Sequence, residues 1–332
     1  MTPSQQQLKK ASSARYFVGQ RVQYVRESVG MTQVTLAARM GFKDRQTISD
    51  IENSRRSLKV EELMALSDIF DKDVEFFMDV LTTVGESQFA WKGSFASREV
   101  QEGLISRAQE WMGLLRFLRE SAVTPQDPLR RTLRLGAQST TDMAADCGEA
   151  FASLLTLGRL STVALSAAIE QHLQIPVLWV PLPETICTGA GRMANLDVLY
   201  VNSRADVAAL TVNLARSLFQ LLTWDVLPPA PVSPADAFLG KGAHKPELMA
   251  HHFVCALLKP AALQELQEPV SSQAQDPQLS VRSFSQAMVV PLHRALDRGH
   301  ISARRAARTL GLDLYELRLL FTEHGLASPF EL

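Results

Sequence analysis

Cysteine is scarce in this chain of 332 residues. Its three cysteines, Cys147, Cys187 and Cys255, are far apart and odd in number. They form neither a disulfide framework nor a CxxC metal knuckle, and a reducing, cytoplasmic setting is expected. Long apolar runs are also missing: no stretch of about 18 apolar residues suggests a membrane span, so no membrane partner is expected. The first ten residues, MTPSQQQLKK, are polar and lack the apolar core of a secretory signal. A phosphate loop is missing too. Thr188-Gly-Ala-Gly-Arg192 carries two glycines, which read as a turn and not as a nucleotide cradle. Ser203 and Ser217 have no histidine and aspartate at a telling spacing, which leaves a serine hydrolase without support. No cofactor is expected.

Net charge is almost absent overall, at −1, but it is unevenly spread. Residues 1–59 hold eleven Lys or Arg (9, 10, 15, 21, 26, 39, 43, 45, 55, 56 and 59) against four acids (27, 44, 50 and 52). The balance is +7, so the remainder carries −8. A basic head on an acidic body is an electrostatic footprint for phosphates.

What is present within that head is the stretch Thr32 to Arg56, TQVTLAARMGFKDRQTISDIENSRR. Thr32 caps a helix over Gln33 to Met40, its hydroxyl accepting from the orphan N–H groups of the first turn. Leu36, Ala37 and Met40 form that helix's buried face. Gly41 stops it, because glycine enters the left-handed conformation without a Cβ clash. Asp44 caps the next helix, Arg45 to Asn53, from which Ile48 and Ile51 point inward. Arg45, Gln46, Thr47, Ser49 and Asp50 are left on the outer faces. Upstream, Val18, Val22 and Val25 mark a helix over about 15–28; downstream, Leu63, Leu66, Ile69 and Phe70 mark another.

This pattern resembles the helix-turn-helix of the XRE family, the lambda-repressor and Cro-like fold, over about residues 15–80. Thr32-Gln33, Leu36-Ala37, Gly41, Thr47-Ile48-Ser49, Ile51-Glu52 and Arg55-Arg56 carry the resemblance. The turn between Gly41 and Ile48 is one residue longer than the common form. The resemblance implies double-stranded operator DNA as partner, with the second helix in the major groove. Gln46 then reads adenine, and Arg45 reads guanine or clamps a phosphate. Lys43, Arg55 and Arg56 are phosphate partners, and Gln33 contacts backbone and buttresses Gln46. Thr32, Thr47, Ser49 and Asn53 complete the candidate surface. Glu52 pairs within the domain.

Residues 85–121 read as a connector followed by an amphipathic helix with Leu104, Ala108, Trp111, Leu114, Leu115 and Leu118 on one stripe, suited to packing or to a dimer. Residues 122–141 read as a loop. Asp142 to Gln174 gives two helices broken near Gly158. Ile175 to Pro181 and Asp197 to Asn202 are strand-like, and Val207 to Trp224 is an apolar helix. After a loop over 225–246, Glu247 to Leu266 is a helix, and Ser280 to Gly325 is helical again. Trp179, Phe219, Trp224 and Phe253 suit either a pocket lining or a core. Cys255 is expected on the inner side of its helix, and one of His251 and His252 inward.

This order resembles the ImmA/IrrE family of zinc-peptidase-like domains over about residues 85–325. Val198-Leu-Tyr-Val-Asn202, the helix Leu210 to Trp224, and Glu247-Leu-Met-Ala-His-His-Phe-Val-Cys-Ala-Leu-Leu-Lys-Pro260 carry it. The last block follows the family's Glu-x-x-Ala-x-x-Phe-Ala-x-x-Leu-Leu-x-Pro signature. Family peptidases carry His-Glu-x-x-His on the preceding helix, two imidazoles at i and i+4 holding zinc and a glutamate acting as base. Here that position reads Ala215-Arg-Ser-Leu-Phe219. Ala215 and Phe219 cannot ligate a metal, Arg216 cannot act as base, and Glu247 alone keeps a ligand type. No catalytic residue, no metal site and no enzymatic activity are expected.

The fold expected is mainly α: a five-helix lambda-repressor-like domain, then an α+β pseudo-metallopeptidase domain with a small sheet and a terminal helical pair. The boundaries expected are 1–82 for the DNA-binding domain, 83–141 for a connector helix and linker, and 142–332 for a sensor and dimerisation domain. Ile301 to Phe321 looks like a second helix-turn-helix with Gly311 in the turn. Its second helix offers Glu316 early and little amide chemistry, which favours packing. The function expected is a cytoplasmic transcriptional repressor, homodimeric on its operator and responsive to a small-molecule, peptide or protein effector. The alternatives are an active metallopeptidase that cleaves a repressor, and an antitoxin- or immunity-type autorepressor that binds a protein partner.

Overall fold

The computed structural model describes residues 18–79, 81, 83, 87–121, 130–157, 161–193, 196–205, 207–235, 244–267 and 283–331. The chain divides into two compact units, Met1–Glu86 and Ser87–Leu332.

In the first unit the described helices are α1 (18–28), α2 (Gln33–Arg39), α3 (Arg45–Glu52), α4 (Val60–Phe70) and α5 (Val74–Met78). Val22, Val25, Leu36, Ala37, Ile48, Ile51, Leu63, Leu66, Phe70 and Phe77 close one buried core. Each element contributes at helical spacing, so the short helices hold together by packing more than by propensity. Residues 15–17 of the first expected helix lie outside the described residues.

The second unit is built on a mixed five-stranded sheet of order β2-β4-β3-β1-β5. The strands are β1 (Ser87–Gly93), β2 (Val177–Val180), β3 (Ile186–Met193), β4 (Leu196–Asn202) and β5 (Val232–Ser233). β3 runs antiparallel to both neighbours, while β2 with β4 and β1 with β5 are parallel. Around them lie α6 (Arg98–Glu120), α7 (Thr141–Leu155), α8 (Thr162–Leu173), α9 (Val207–Thr223), α10 (Lys245–Gln267), α11 (Gln286–Asp297), α12 (Ala303–Leu310) and α13 (Leu314–Glu323).

Strand alternation sorts two faces. Ala90, Ala190, Leu199 and Val201 join α9 and α10 in the main core, along with Trp179, Phe219, Trp224 and Phe253. These four aromatics are therefore core. The other face carries an aromatic layer. Phe89 stacks on Trp91 at 5.8 Å, and Tyr200 lies 5.3 Å from Trp91 and 6.0 Å from Trp111 of α6.

That layer explains two departures from expectation. The stretch 83–141, expected as connector and linker, contributes β1 and α6 to the second unit. The apolar stripe of α6, Leu104 to Leu118, is buried there, and the helix packs on β4, α11 and α12. The expected turn at Thr188–Arg192 is the middle of β3. Its glycines make room for rings: a Cβ at Gly189 would sit 2.3 Å from Trp91 Cε3, and one at Gly191 3.1 Å from Met112 Sδ. Trp91 is 1% exposed and has nowhere to retreat. Gly189→Ala is accordingly expected to destabilise this unit by about 1–3 kcal/mol, as overpacking does. A guanidinium melt followed by tryptophan fluorescence would read it as a lowered midpoint, and an unchanged midpoint would refute the ring-seating role.

Candidate nucleic-acid interface

The Thr32–Arg56 segment folds as its caps dictate. Thr32 Oγ1 accepts the Thr35 N–H at 3.1 Å, and Asp44 Oδ1 accepts the Thr47 N–H at 3.1 Å. Between the two helices Gly41 takes φ +71°, and the Phe42 N–H donates back to the Ala37 carbonyl at 2.9 Å. This closes the end of α2 in the manner of a glycine C-cap. Leu36, Ala37, Ile48 and Ile51 hold the pair of helices on the core.

The outer start of α3 is open. Lys43, Arg45, Gln46, Asn53 and Arg55 are exposed, while Thr47 and Ser49 are half-buried. Lys43 and Arg45 enter no ion pair among the described residues. Both flank the amino end of an eight-residue helix, whose dipole adds to their attraction for an anion. The Gln46 amide donates to Asp50 Oδ1 at 2.9 Å, and Arg55 lies 3.8 Å from the same carboxylate. Asn53 Nδ2 donates to the Ser49 carbonyl at 2.8 Å, tying off the end of the helix.

Three of the residues counted toward the basic head are used internally. Arg21 is fully buried and donates to the Phe77 carbonyl at 2.8 Å. Arg26 donates to both Glu52 oxygens, at 2.6 and 3.1 Å, and the Glu52 hydrogen bond holds its guanidinium above its usual range. Arg56 forms a two-pronged pair with Glu62 at 2.6 and 2.9 Å and lies over the Phe42 ring, so the arginine expected on a phosphate braces the head. Its hydrogen bond also pulls the Glu62 carboxyl below its usual range. The described exposed basic set is Arg39, Lys43, Arg45, Arg55 and Lys59; Lys9, Lys10 and Arg15 lie outside the described residues.

Gln33 corrects another expectation. Its amide donates to Glu52 Oε2 at 2.7 Å and makes no bond to Gln46. It completes a buried Arg26–Glu52–Gln33 cluster that fixes α2 and α3 against α1. Sequence spacing gave no pointer to Arg26 as that partner.

In the second unit, the positions matched to a peptidase motif are interior. Ala215 is fully buried. Arg216 is 2% exposed, and its Nη1 donates to the Ala235 carbonyl at 2.9 Å. The Phe219 ring packs 5.2 Å from Phe253. Glu247 is half-buried near the start of α10 and accepts the His244 N–H at 3.3 Å. Cys255, expected inward, is exposed, with its sulfur 3.7 Å from His251 Nε2. Two helical steps from Phe253, about 200°, turn it to the side opposite the face defined by Met249, Phe253 and Leu257. His251 and His252 are both half-exposed, and burial lowers the His251 pKa. Among the described residues no three His, Cys, Asp or Glu side chains gather as metal ligands.

A family model described as helix-turn-helix matches residues 22–77. The match spans α1 to α5 and supports a DNA-binding transcription regulator. No curated protein and no solved structure matches the chain. No helix among the described residues is long and apolar enough to cross a membrane.

Proposed function

We propose that the chain is a sequence-specific transcriptional repressor that lays α3 in the major groove of an operator. The observation that carries this reading is the open, basic start of α3 on a rigid helix-turn-helix, with Lys43, Arg45 and Gln46 pointing outward. Arg45 reads guanine or a phosphate, and Gln46 exchanges its Asp50 contact for an adenine edge. Lys43 and Arg55 supply salt-dependent, sequence-independent affinity. One such head covers a half-site, so the proposed binding form is a homodimer on a palindrome.

The second unit is proposed as a non-catalytic scaffold of the ImmA/IrrE kind. What supports this is the buried alanine, arginine and phenylalanine where that family places zinc ligands and base. Its proposed role is to bind an effector or partner that prefers one arrangement of the dimer and so shifts operator affinity.

The test is a gel shift on the DNA upstream of its own gene. Each base-reading contact contributes about 1–3 kcal/mol, so Arg45→Ala with Gln46→Ala is expected to weaken selective binding about 30-fold or more. Both side chains are exposed, so the melting temperature should not move. Selective binding that survives the double substitution would overturn the assignment of α3.

A further inference from the structure

The head and the end of the chain share one frame. In the head, measured from the cap Thr32, buried residues fall 10 and 7 places before (Val22, Val25) and 4 and 5 after (Leu36, Ala37). A left-handed glycine, Gly41, follows at place 9. From the second cap, Asp44, Ile48 and Ile51 are buried at places 4 and 7. Measured from the cap Ser302, Leu292 and Ala295 are buried at the same two places before, and Ala306 and Ala307 at the same two after. Gly311, at φ +72°, stands at place 9. From Asp313, Leu317 and Leu320 are buried at places 4 and 7. The caps agree too: Ser302 Oγ accepts the Arg305 N–H at 3.3 Å, and Asp313 Oδ1 accepts the Glu316 N–H at 2.7 Å. Among these positions the spacing differs only in the turn, which is one residue shorter. Thus α11, α12 and α13 repeat the pattern of α1, α2 and α3.

In this frame Tyr315 occupies the place of Gln46, and Arg318 the place of Ser49. Tyr315 is 59% exposed. Arg304, Arg308 and Arg318 are exposed, and none enters an ion pair among the described residues. Glu316, the residue that argued against an anionic partner, is turned back on its own cap: its Oε2 accepts the Asp313 N–H at 2.8 Å. The outer side of this pair therefore presents guanidinium groups and a phenol, which suit phosphates and base edges.

We propose that α12 and α13 form a second double-stranded DNA contact, with α13 facing the duplex through Tyr315 and Arg318 and with Arg304 and Arg308 on phosphates. The reading deepens the proposed regulator, giving each copy two DNA contacts instead of one.

Photocross-linking in the full chain tests it. p-Benzoylphenylalanine replaces Tyr315 in one preparation and Gln46 in another, and each is irradiated at low salt with labelled duplex from upstream of the gene. The expected result is duplex cross-linked from position 315, and its loss when Arg304→Ala, Arg308→Ala and Arg318→Ala are combined. These substitutions should also lower the slope of log affinity against log salt by about 2–3, at about 0.9 per phosphate contact. Cross-linking from 46 without any from 315 overturns this proposal and leaves the head's role standing, and so does cross-linking from 315 to protein alone. Cross-linking from 315 with none from 46 upholds it and overturns the head's role; silence at both overturns both.

Discussion

Glu52→Ala is expected to destabilise the first unit strongly while leaving the second intact. The Glu52 side chain is 2% exposed and its partner Arg26 9%. Glu52 accepts two bonds from Arg26 and a third from Gln33. Arg26 in turn donates to the Met31 carbonyl at 2.9 Å, in the loop that leads to the cap of α2. Truncating the carboxylate leaves the Arg26 guanidinium with only the exposed Glu27 carboxylate, 3.1 Å from its Nη2, as ionic partner, and breaking a buried pair from one side costs about 3–5 kcal/mol. A domain this small has about 5–15 kcal/mol in all, so a large share of its margin goes. In calorimetry, the transition of the head should fall by about 12–40 °C, at about 4–8 °C per kcal/mol, and that of the second unit should stay in place. The proposed operator binding should then be lost through the population of folded heads, unlike the loss expected in Arg45→Ala with Gln46→Ala, where the melt is unchanged. Removing both charges, as in Arg26→Met with Glu52→Leu, should restore much of the stability, because two apolar chains leave no stranded ion. A head transition that moves by less than about 4 °C in Glu52→Ala would show that the cluster does not hold the helices together.

The cluster also marks where sequence reading ran out. The caps Thr32 and Asp44, the glycine at 41 and the spacing of Leu36, Ile48 and Ile51 act within a few residues, so α2, the turn and α3 were legible. The Arg26–Glu52 pair spans 26 positions, and nothing local announces it. The same blindness inflated the basic count, since Arg21, Arg26 and Arg56 find partners only once the chain has folded. In the second unit, glycine misled. Gly189 and Gly191 carry the signal of a turn, yet their missing side chains are what lets Trp91, Tyr200 and Met112 lie against the sheet. β1 was lost for a related reason: its partners, β3 and β5, lie about 100 and 140 residues later. The repeat of the head's frame at Ser302 was visible as a likeness, but its weight comes from burial and cap geometry.

Stability of the second unit should rise as pH increases from about 7 to about 9, and Lys92 is the cause; at higher pH the Cys147 thiol and the Tyr200 phenol, both raised by burial, act against it. It lies on β1, 4% exposed, with Nζ 2.9 Å from Ser233 Oγ on β5. Around it are Thr188, its register partner on β3, Arg216 of α9 and Glu247 of α10. Burial, and then the positive charge of Arg216, push its pKa from an ordinary 10.5 down to about 7, with Glu247 pulling the other way. The unfolded chain therefore binds a proton over a range in which the folded chain does not. Above about 10.5 both states are neutral and nothing is lost. As pH falls from there to about 7 the unfolded state gains the proton alone, and stability drops. Below about 7 both are charged, and the full penalty remains. At about 1.4 kcal/mol per pH unit, this one group should raise stability by about 2 kcal/mol between pH 7 and 9. Lys92→Met removes the group at nearly constant volume. The variant is expected to be more stable than the wild type by on the order of 3–4 kcal/mol at pH 7, and to lose the upward slope. Guanidinium midpoints of the second unit at pH 6, 7, 8 and 9 would check both. A wild-type midpoint that is flat from pH 7 to 9, with a variant no more stable than its parent, would mean that Lys92 keeps its charge inside the fold at little cost, through stronger pairing with Glu247 than the half-buried position of that carboxylate implies.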